Sequence, residues 1–438
     1  MKPEQAESNG GPLVAVRDLK TYYSIRGNFG SRLLGREAGS VRAVDDVSFD
    51  LNHGEVLGVV GESGSGKTTL GRTLLGLVKA TSGSILFEGR DVTGLGGNEL
   101  REHRRRMQIV FQDPHASLNP AMTIGQSVEH PLTIHGFAKG AEARARVADV
   151  LERVGLAPAD QFLDKYPSDL SGGQKQRAVI ARAIILNPVL LVADEPVSML
   201  DMSVRAKILE LMLALKDDFD LTYLYITHDL ATAKFFCNRV AIMYLGRIVE
   251  IGDTAEIFAN PRHPYTASLL KAIPDPDPAR TIPRDLPRGE IPDAAQPPLG
   301  CRFHPRCPRA FEVCGWESRD LRDLLELRWA GAGEDRFESE RGTLGDLEPL
   351  DEPSTHVRVP AAGGRSGADV AEMLDRVRAD QPGEPFWTGV RSIDPSGTDA
   401  ALEFHDPLDP ALRPVGDVHV ACHLYDEALL PVRSSRAE

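Results

Sequence analysis

Residues 170–176 read Leu-Ser-Gly-Gly-Gln-Lys-Gln, a glycine-rich turn placed to open a helix near Gly173. Such a turn presents free backbone N–H groups at the positive end of a helix dipole, a ready seat for an anion. Upstream, Gly61-Glu-Ser-Gly-Ser-Gly66-Lys67-Thr68-Thr69 fits the phosphate-loop pattern. It lies between a strand expected over 54–60 and a helix expected from Gly66 to about Val78, the context that pattern requires. A phosphate loop alone implies only a bound nucleotide. Two anion-binding helix ends, more than a hundred residues apart in one chain, suggest an ATP clamped between two faces.

The chemistry of the first loop is direct. Gly61, Gly64 and Gly66 let the backbone close around phosphates, and Ser63, Ser65 and Thr69 complete the cradle. Lys67 is placed to reach the β- and γ-phosphates, and Thr68 to give its hydroxyl to Mg2+. Leu190-Leu-Val-Ala-Asp194-Glu195 is an apolar strand ending in two acids. Open α/β sheets bind ligands at the carboxyl ends of their strands, which puts Asp194 on magnesium. Glu195, one residue on, is the candidate general base for the attacking water.

Further strands are expected at 13–19, 43–51, 84–88, 107–111, 189–193, 222–227 and 239–244. Residues 26–40 read as a loop. Val147, Val150, Leu151 and Val154 mark one face of a helix, as do Val204, Ile208, Leu211 and Leu215. Strands alternating with helices predict an α/β fold, a mixed sheet with a helical insert at about 113–180. Residues 1–12 are expected to be flexible, 13–258 to form the nucleotide-binding domain, and 259–438 to form a C-terminal extension. Eight prolines between Pro274 and Pro298 predict an extended strap. Two helices are expected beyond it, at 320–329 and 368–379, joined by Gly-, Pro- and acid-rich connections that are partly disordered.

Over roughly its first 260 residues the chain resembles the ABC ATPases, through the 61–69 loop, the 170–176 turn and the 190–195 strand. The resemblance implies that Gln112 touches magnesium and the attacking water. His228 becomes the switch that contacts the γ-phosphate, and Asp201 part of a loop crossing a dimer interface. Tyr23 is implied as the ring stacked on adenine, with Tyr22 as the fallback. Ser171, Gly172, Gly173 and Gln174 then close over an ATP held by the opposite subunit. One copy of each motif means that the chain completes a site only with a second ATPase subunit.

The tail narrows the resemblance. His263-Pro-Tyr-Thr266, the strap, and Cys301-Arg-Phe-His-Pro-Arg-Cys307-Pro-Arg-Ala-Phe-Glu-Val-Cys314 are similar to the C-terminal extension of oligopeptide and dipeptide importer ATPases. That family implies two membrane permease subunits, an external substrate-binding protein and a place at the cytoplasmic face of the membrane. It favours a heterodimer of ATPase chains over a homodimer. Some relatives with this tail import nickel or sugars instead. Cys301, Cys307, Cys314 and Cys422 supply four thiolates, enough for a 4Fe-4S cluster, which the resemblance favours, or for zinc. Residues 315–418 separate the third thiol from the fourth and read as an acidic insertion that loops out and returns His419–Tyr425 to the site. Cys237, in an apolar context, reads as core.

Composition excludes several alternatives. The 438 residues carry a net charge of −14 and 42% hydrophobic residues, enough for real cores in two domains. Residues 315–421 hold 23 acids against 11 arginines, and the rest is near neutral, so no basic face supports a nucleic-acid partner. No apolar run spans a bilayer and no apolar leader core opens the chain, which predicts a cytoplasmic protein held to the membrane by others. Five cysteines, an odd count, argue against a disulfide framework. A soluble ABC protein acting on DNA or ribosomes would call for a second cassette, coiled coils or basic surface. A cysteine-tail metal sensor governing a degenerate ATPase is weakened by intact Lys67, Asp194, Glu195 and His228.

Overall fold

The computed structural model describes residues 11–25, 39–273 and 289–429. Most of residues 1–12, most of the 26–40 stretch and the first part of the proline strap lie outside them, so the expectations for these segments fall outside the described residues. Residues 289–298, the rest of the strap, form neither helix nor strand. The chain divides into two compact units, Met1–Asn260 and Pro261–Glu438. Among the described residues, no helix is long and apolar enough to cross a membrane.

The first unit has two sheets. In one, β1 (Val14–Ser24) lies between β2 (Ser40–Leu51) and β4 (Ser82–Phe87), all antiparallel, with the short β5 (Arg90–Asp91) beside β4. The other contains five parallel strands in the order β9, β3, β8, β7, β6, spanning Arg239–Tyr244, Val56–Val60, Thr222–Thr227, Leu190–Asp194 and Met107–Val110. The strand β10 (Arg247–Asp253) adds to β9 antiparallel. Every residue of β3, β7 and β8 is buried, because helices cover both faces of a parallel sheet and leave no wet side to alternate with. Gly58 in β3 has no room for a side chain, since a Cβ there would meet the Cys237 sulfur at 2.7 Å. Cys237 is buried, as a core residue should be.

Register builds the site. Val60 stands opposite Thr227, Asp194 opposite Ile226, and Val110 opposite Ala193. The parallel strands therefore all release their chains along one edge, and Gly61, Gln112, Glu195 and His228 leave side by side.

Helix α1 (Lys67–Leu74) is shorter than expected. Gly76, at φ 62, donates to Thr73 while Leu77 N–H reaches back to the Arg72 carbonyl, a left-handed C-terminal cap that stops the helix before Val78. β1 runs longer than the expected 13–19 because a bulge at Asp18, φ 46, breaks the apolar alternation without ending the strand. The insert between β6 and β7 contains α2 (Ile124–His135), α3 (Gly140–Arg153) and α4 (Gly172–Ile184), packed on one another. α3 buries Val147, Val150 and Leu151, the face foreseen, and α5 (Met202–Phe219) buries Ile208 and Leu215 of its stripe.

In the second unit, α6 (Pro264–Lys271) precedes the cysteine segment. Residues 315–418 depart from the expected outlying loop. α7 (Ser318–Ala330) and α8 (Gly367–Asp380) appear where helices were expected. Between and after them, β11 (His356–Pro360), β13 (Asp399–Phe404) and β12 (Val390–Ser396) form an antiparallel sheet in that order. Its apolar core takes in Trp316, Leu325, Leu374, Phe386 and Phe404. Most of the acids are outside this core and many find arginines, while Glu317 and Asp320 are buried. Arg328, for example, binds both Glu340 and Asp380. A short hairpin of β14 (Arg413–Val415) and β15 (Val418–Val420) leads to Cys422.

Candidate functional site

The phosphate loop follows β3 and needs its glycines for space. A Cβ on Gly61 would stand 2.2 Å from the Met243 carbonyl oxygen. One on Gly66, where φ is 99, would stand 1.9 Å from that of Ala43. Ser63 and Gly64 are exposed at the crown of the loop, while Ser65 is buried and its carbonyl accepts from Gly246 N–H. Lys67 is only 5% exposed. Its ammonium donates to the carbonyls of Gly61 at 2.7 Å and Glu62 at 2.8 Å. Burial pushes the Lys67 pKa below the usual lysine range, against the pull of Glu195, Asp194 and Glu62.

Thr68 and Asp194, the two residues expected to hold magnesium, meet. Thr68 Oγ1 donates to Asp194 Oδ1 at 2.9 Å, across the gap between α1 and the end of β7. Burial raises the Asp194 pKa, and the Thr68 bond works against it. An ion seated between the two oxygens would remove that cost by supplying the missing charge.

The three residues assigned to water and γ-phosphate also come together. Gln112 Nε2 donates to Glu195 Oε2 at 3.0 Å, and His228 Nδ1 lies 3.1 Å from Glu195 Oε1. Glu195 sits at φ 48, a conformation that non-glycine residues seldom adopt, and its N–H donates to the Ile226 carbonyl at 2.9 Å. Strain of this kind is common where a side chain must be aimed.

Ser171, Gly172, Gly173 and Gln174 stand apart. Ser171 caps α4 through a reciprocal pair of bonds with Gln174. Among the described residues, no hydrogen bond or ion pair joins 171–174 to the phosphate loop, the two acids or His228. Gly173 packs under α5, where a Cβ would meet Val204 at 2.8 Å. Asp201 is exposed at the head of α5 between Met199 and Met202, 63% and 84% exposed. Arg205 fixes this loop by donating to the carbonyls of Leu200 and Ser198. Sequence reading passes over Arg205, since one arginine on a polar helix face carries no signal.

The two tyrosines separate cleanly. Tyr22 gives its hydroxyl to Asp45, which Arg247 also approaches at 3.6 Å. Tyr23 is 43% exposed. Tyr23 is the more exposed of the two.

In the second unit, Cys301, Cys307, Cys314 and Cys422 line one pocket together with His263 and His304. Burial and mutual repulsion push the Cys301 thiol well up, and burial pushes Cys307 and Cys314 up to about 12. Among the described residues, no group of three or more His, Cys, Asp or Glu side chains could hold a metal ion.

Two family models match the chain. Residues 44–198 fit the ABC transporter family, and 249–314 fit the oligopeptide/dipeptide transporter C-terminal region. A Brucella ovis protein named as a peptide import ATP-binding protein is 46% identical over 313 residues, which is 72% of this chain and 95% of that protein. The oligopeptide transport ATP-binding protein AppF of Bacillus subtilis is 46% identical over 310 residues, 70% of this chain and 92% of its own. The glutathione import ATP-binding protein GsiA of Shigella dysenteriae is 50% identical over 276 residues, 63% of this chain and 43% of its own. With the phosphate loop, the paired acids and the Ser171 turn all in place, the chain belongs to the ABC transporter ATPases, in the group carrying the oligopeptide/dipeptide C-terminal region, and works as an ATPase on ATP with Mg2+.

Proposed function

We propose that the chain is one of a pair of ATPase subunits that sit against membrane permeases at the cytoplasmic face and power the uptake of di- and oligopeptides. The observation that carries this reading is a separation. Lys67, Thr68, Asp194, Glu195, Gln112 and His228 gather at one sheet edge, while among the described residues no hydrogen bond or ion pair joins the Ser171 turn of the same chain to them. Half of a phosphate clamp is built twice over in a pair and once in a single chain. Exposed Asp201, Met199 and Met202 offer the pair a surface.

The chemistry follows from the residues. Lys67 trades its two carbonyl partners for β- and γ-phosphate oxygens. Thr68 and Asp194 hold magnesium, and Glu195 takes a proton from the attacking water, with Gln112 and His228 keeping its carboxylate aimed. Ser171 and the N–H groups behind it, given by the second chain, bind the γ-phosphate only while it is attached. Each bond to a charged phosphate contributes about 1.5–3 kcal/mol, so its loss reopens the pair and moves the permeases. A related second ATPase chain, giving a heterodimer, is the arrangement proposed. The test is uptake by the purified complex in vesicles. ATP-dependent accumulation of labelled di- or oligopeptide is expected, and nickel or sugar uptake without peptide uptake would overturn the assignment.

Tyr23 is read as the adenine platform. Tyr23→Ala should weaken ATP affinity by roughly tenfold, in line with about 1–3 kcal/mol for base stacking on an aromatic ring. The maximal rate should stand unchanged, and an equal affinity in a nucleotide titration would remove Tyr23 from the site.

The four thiols are read as ligands of a 4Fe-4S cluster. Zinc draws four thiolates to about 2.3 Å from one ion, which requires convergence on a point. A cluster carries iron at its corners and keeps its ligands further apart. What supports the cluster is the resemblance of the cysteine segment to the importer tail, together with the four thiols lining one pocket. Purified without oxygen, the chain should be brown, with visible absorbance and bound iron. A colourless preparation holding zinc would sink this part of the reading.

A further inference from the structure

We infer that Asp320, at the head of α7, is a positioning residue for the four-thiol pocket, acting through His304. This rests on the reading of that pocket as a cluster site. The segment between Cys314 and Cys422 then serves as the clamp that holds the pocket's two cysteine-bearing loops in register.

His304 follows Cys301 by three residues and is fully buried. Its Nδ1 donates to the Cys301 carbonyl at 2.8 Å, and its Nε2 stands 3.0 Å from Asp320 Oδ2. The ring also meets Trp316 edge-on, with centroids 4.9 Å apart. Asp320 is 7% exposed, and the same Oδ2 accepts from Glu317 N–H at 2.9 Å, closing a capping box at the start of α7. One carboxylate thus ties together the helix start and, through the imidazole, the backbone of the first thiol residue.

The far end of the segment returns to the same place. Leu408 N–H donates to the Val313 carbonyl at 3.0 Å, one residue before Cys314. The Leu408 carbonyl accepts from His423 Nε2 at 2.8 Å, one residue after Cys422. Cys301 N–H donates directly to the Cys314 carbonyl at 2.9 Å. Every one of these ties except His304–Asp320 involves the backbone. That pair alone runs from side chain to side chain, so substitution can remove it and leave the chain path alone.

A group at this distance sets orientation rather than ligation. Partners behind a metal's ligands typically change metal retention by roughly tenfold to a hundredfold when removed. A carboxylate serving only as a helix cap would alter unfolding and leave the pocket's contents alone.

The test uses the full chain, loaded and purified anaerobically, with a ferrous chelator as the probe. Asp320→Ala should release iron roughly tenfold to a hundredfold faster than the unaltered chain and shift the midpoint potential of the bound group. Asp320→Asn should recover most of the retention, because its amide oxygen can stand where Oδ2 does, against both Glu317 N–H and His304 Nε2. Equal release rates and equal potentials for Asp320→Ala and the unaltered chain would overturn the inference. Should Asp320→Ala fail to fold, hydrogen exchange on the unaltered chain decides the matter. Stripping the iron should raise exchange across 318–330, and unchanged exchange there would overturn the inference. An unaltered chain that takes up no iron refutes the cluster reading itself, a result distinct from both.

Discussion

Glu195→Gln should lower steady-state ATP turnover by roughly 10²–10⁴-fold, the span expected when a general base is lost, and should leave ATP binding intact. The substitution keeps size and shape and removes only the ability to take a proton. Glutamine's amide oxygen can still accept from Gln112, and its NH2 can donate to His228 Nδ1 in the tautomer that leaves that nitrogen bare, the two groups now standing 3.0 and 3.1 Å from the carboxylate, so the pocket holds its form. The backbone position, at φ 48 and tied to Ile226, is equally open to glutamine. Uncleaved ATP should then accumulate on paired chains. Phosphate release followed beside bound nucleotide measures both effects, and normal turnover would strike Glu195 from its role.

The second large effect belongs to the turn that lies outside its own chain's pocket. Ser171→Asp should silence the site that Ser171 completes on the second chain, by at least about a hundredfold at that site, and leave ATP affinity of the isolated chain where it was. Aspartate caps helices as well as serine does, so α4 should lose almost no stability. What changes is the charge facing the partner's γ-phosphate. A bond of about 1.5–3 kcal/mol is replaced by repulsion between two anions. Serine serving only as a cap predicts the opposite, with turnover retained. The other site of the proposed heterodimer, built on Lys67 and the second chain's intact turn, should keep working, measurable as partial turnover, and adding Lys67→Ala to Ser171→Asp should remove it.

Much of this was legible in the sequence, for physical reasons that differ from place to place. The runs Val56–Val60 and Leu190–Asp194 could be read as buried strands because a parallel sheet needs unbroken apolar sequence, and two acids ending such a run can only lie at its edge. Gln112 and His228 carry no such signal. Their meeting at Glu195 depends on strand order and register, which one sequence does not display. The resemblance favours Tyr23 over its neighbour Tyr22, and the greater exposure of Tyr23 beside the Tyr22–Asp45 bond is consistent with that choice.

Residues 315–418 were the poorest reading. The helices Ser318–Ala330 and Gly367–Asp380 announce themselves through apolar spacing. The strands between them do not. Asp-Ala-Ala-Leu-Glu-Phe in β13 alternates faces with alanine instead of a β-branched residue, and β12 contains Pro395. Acidic composition then suggested solvated chain where Trp316, Phe386 and Phe404 in fact close a core. Net charge describes the surface of that unit and hides its interior.

The most direct measurement is the mass of the Glu195→Gln chain by light scattering, alone and mixed with a second ATPase chain of the same transporter. It should be made with ATP and Mg2+ and again with ADP. Two chains per particle with ATP and single chains with ADP are the result expected if nucleotide joins Lys67 of one chain to Ser171 of another. A single chain that binds and cleaves ATP fully, with or without the second chain present, would contradict it.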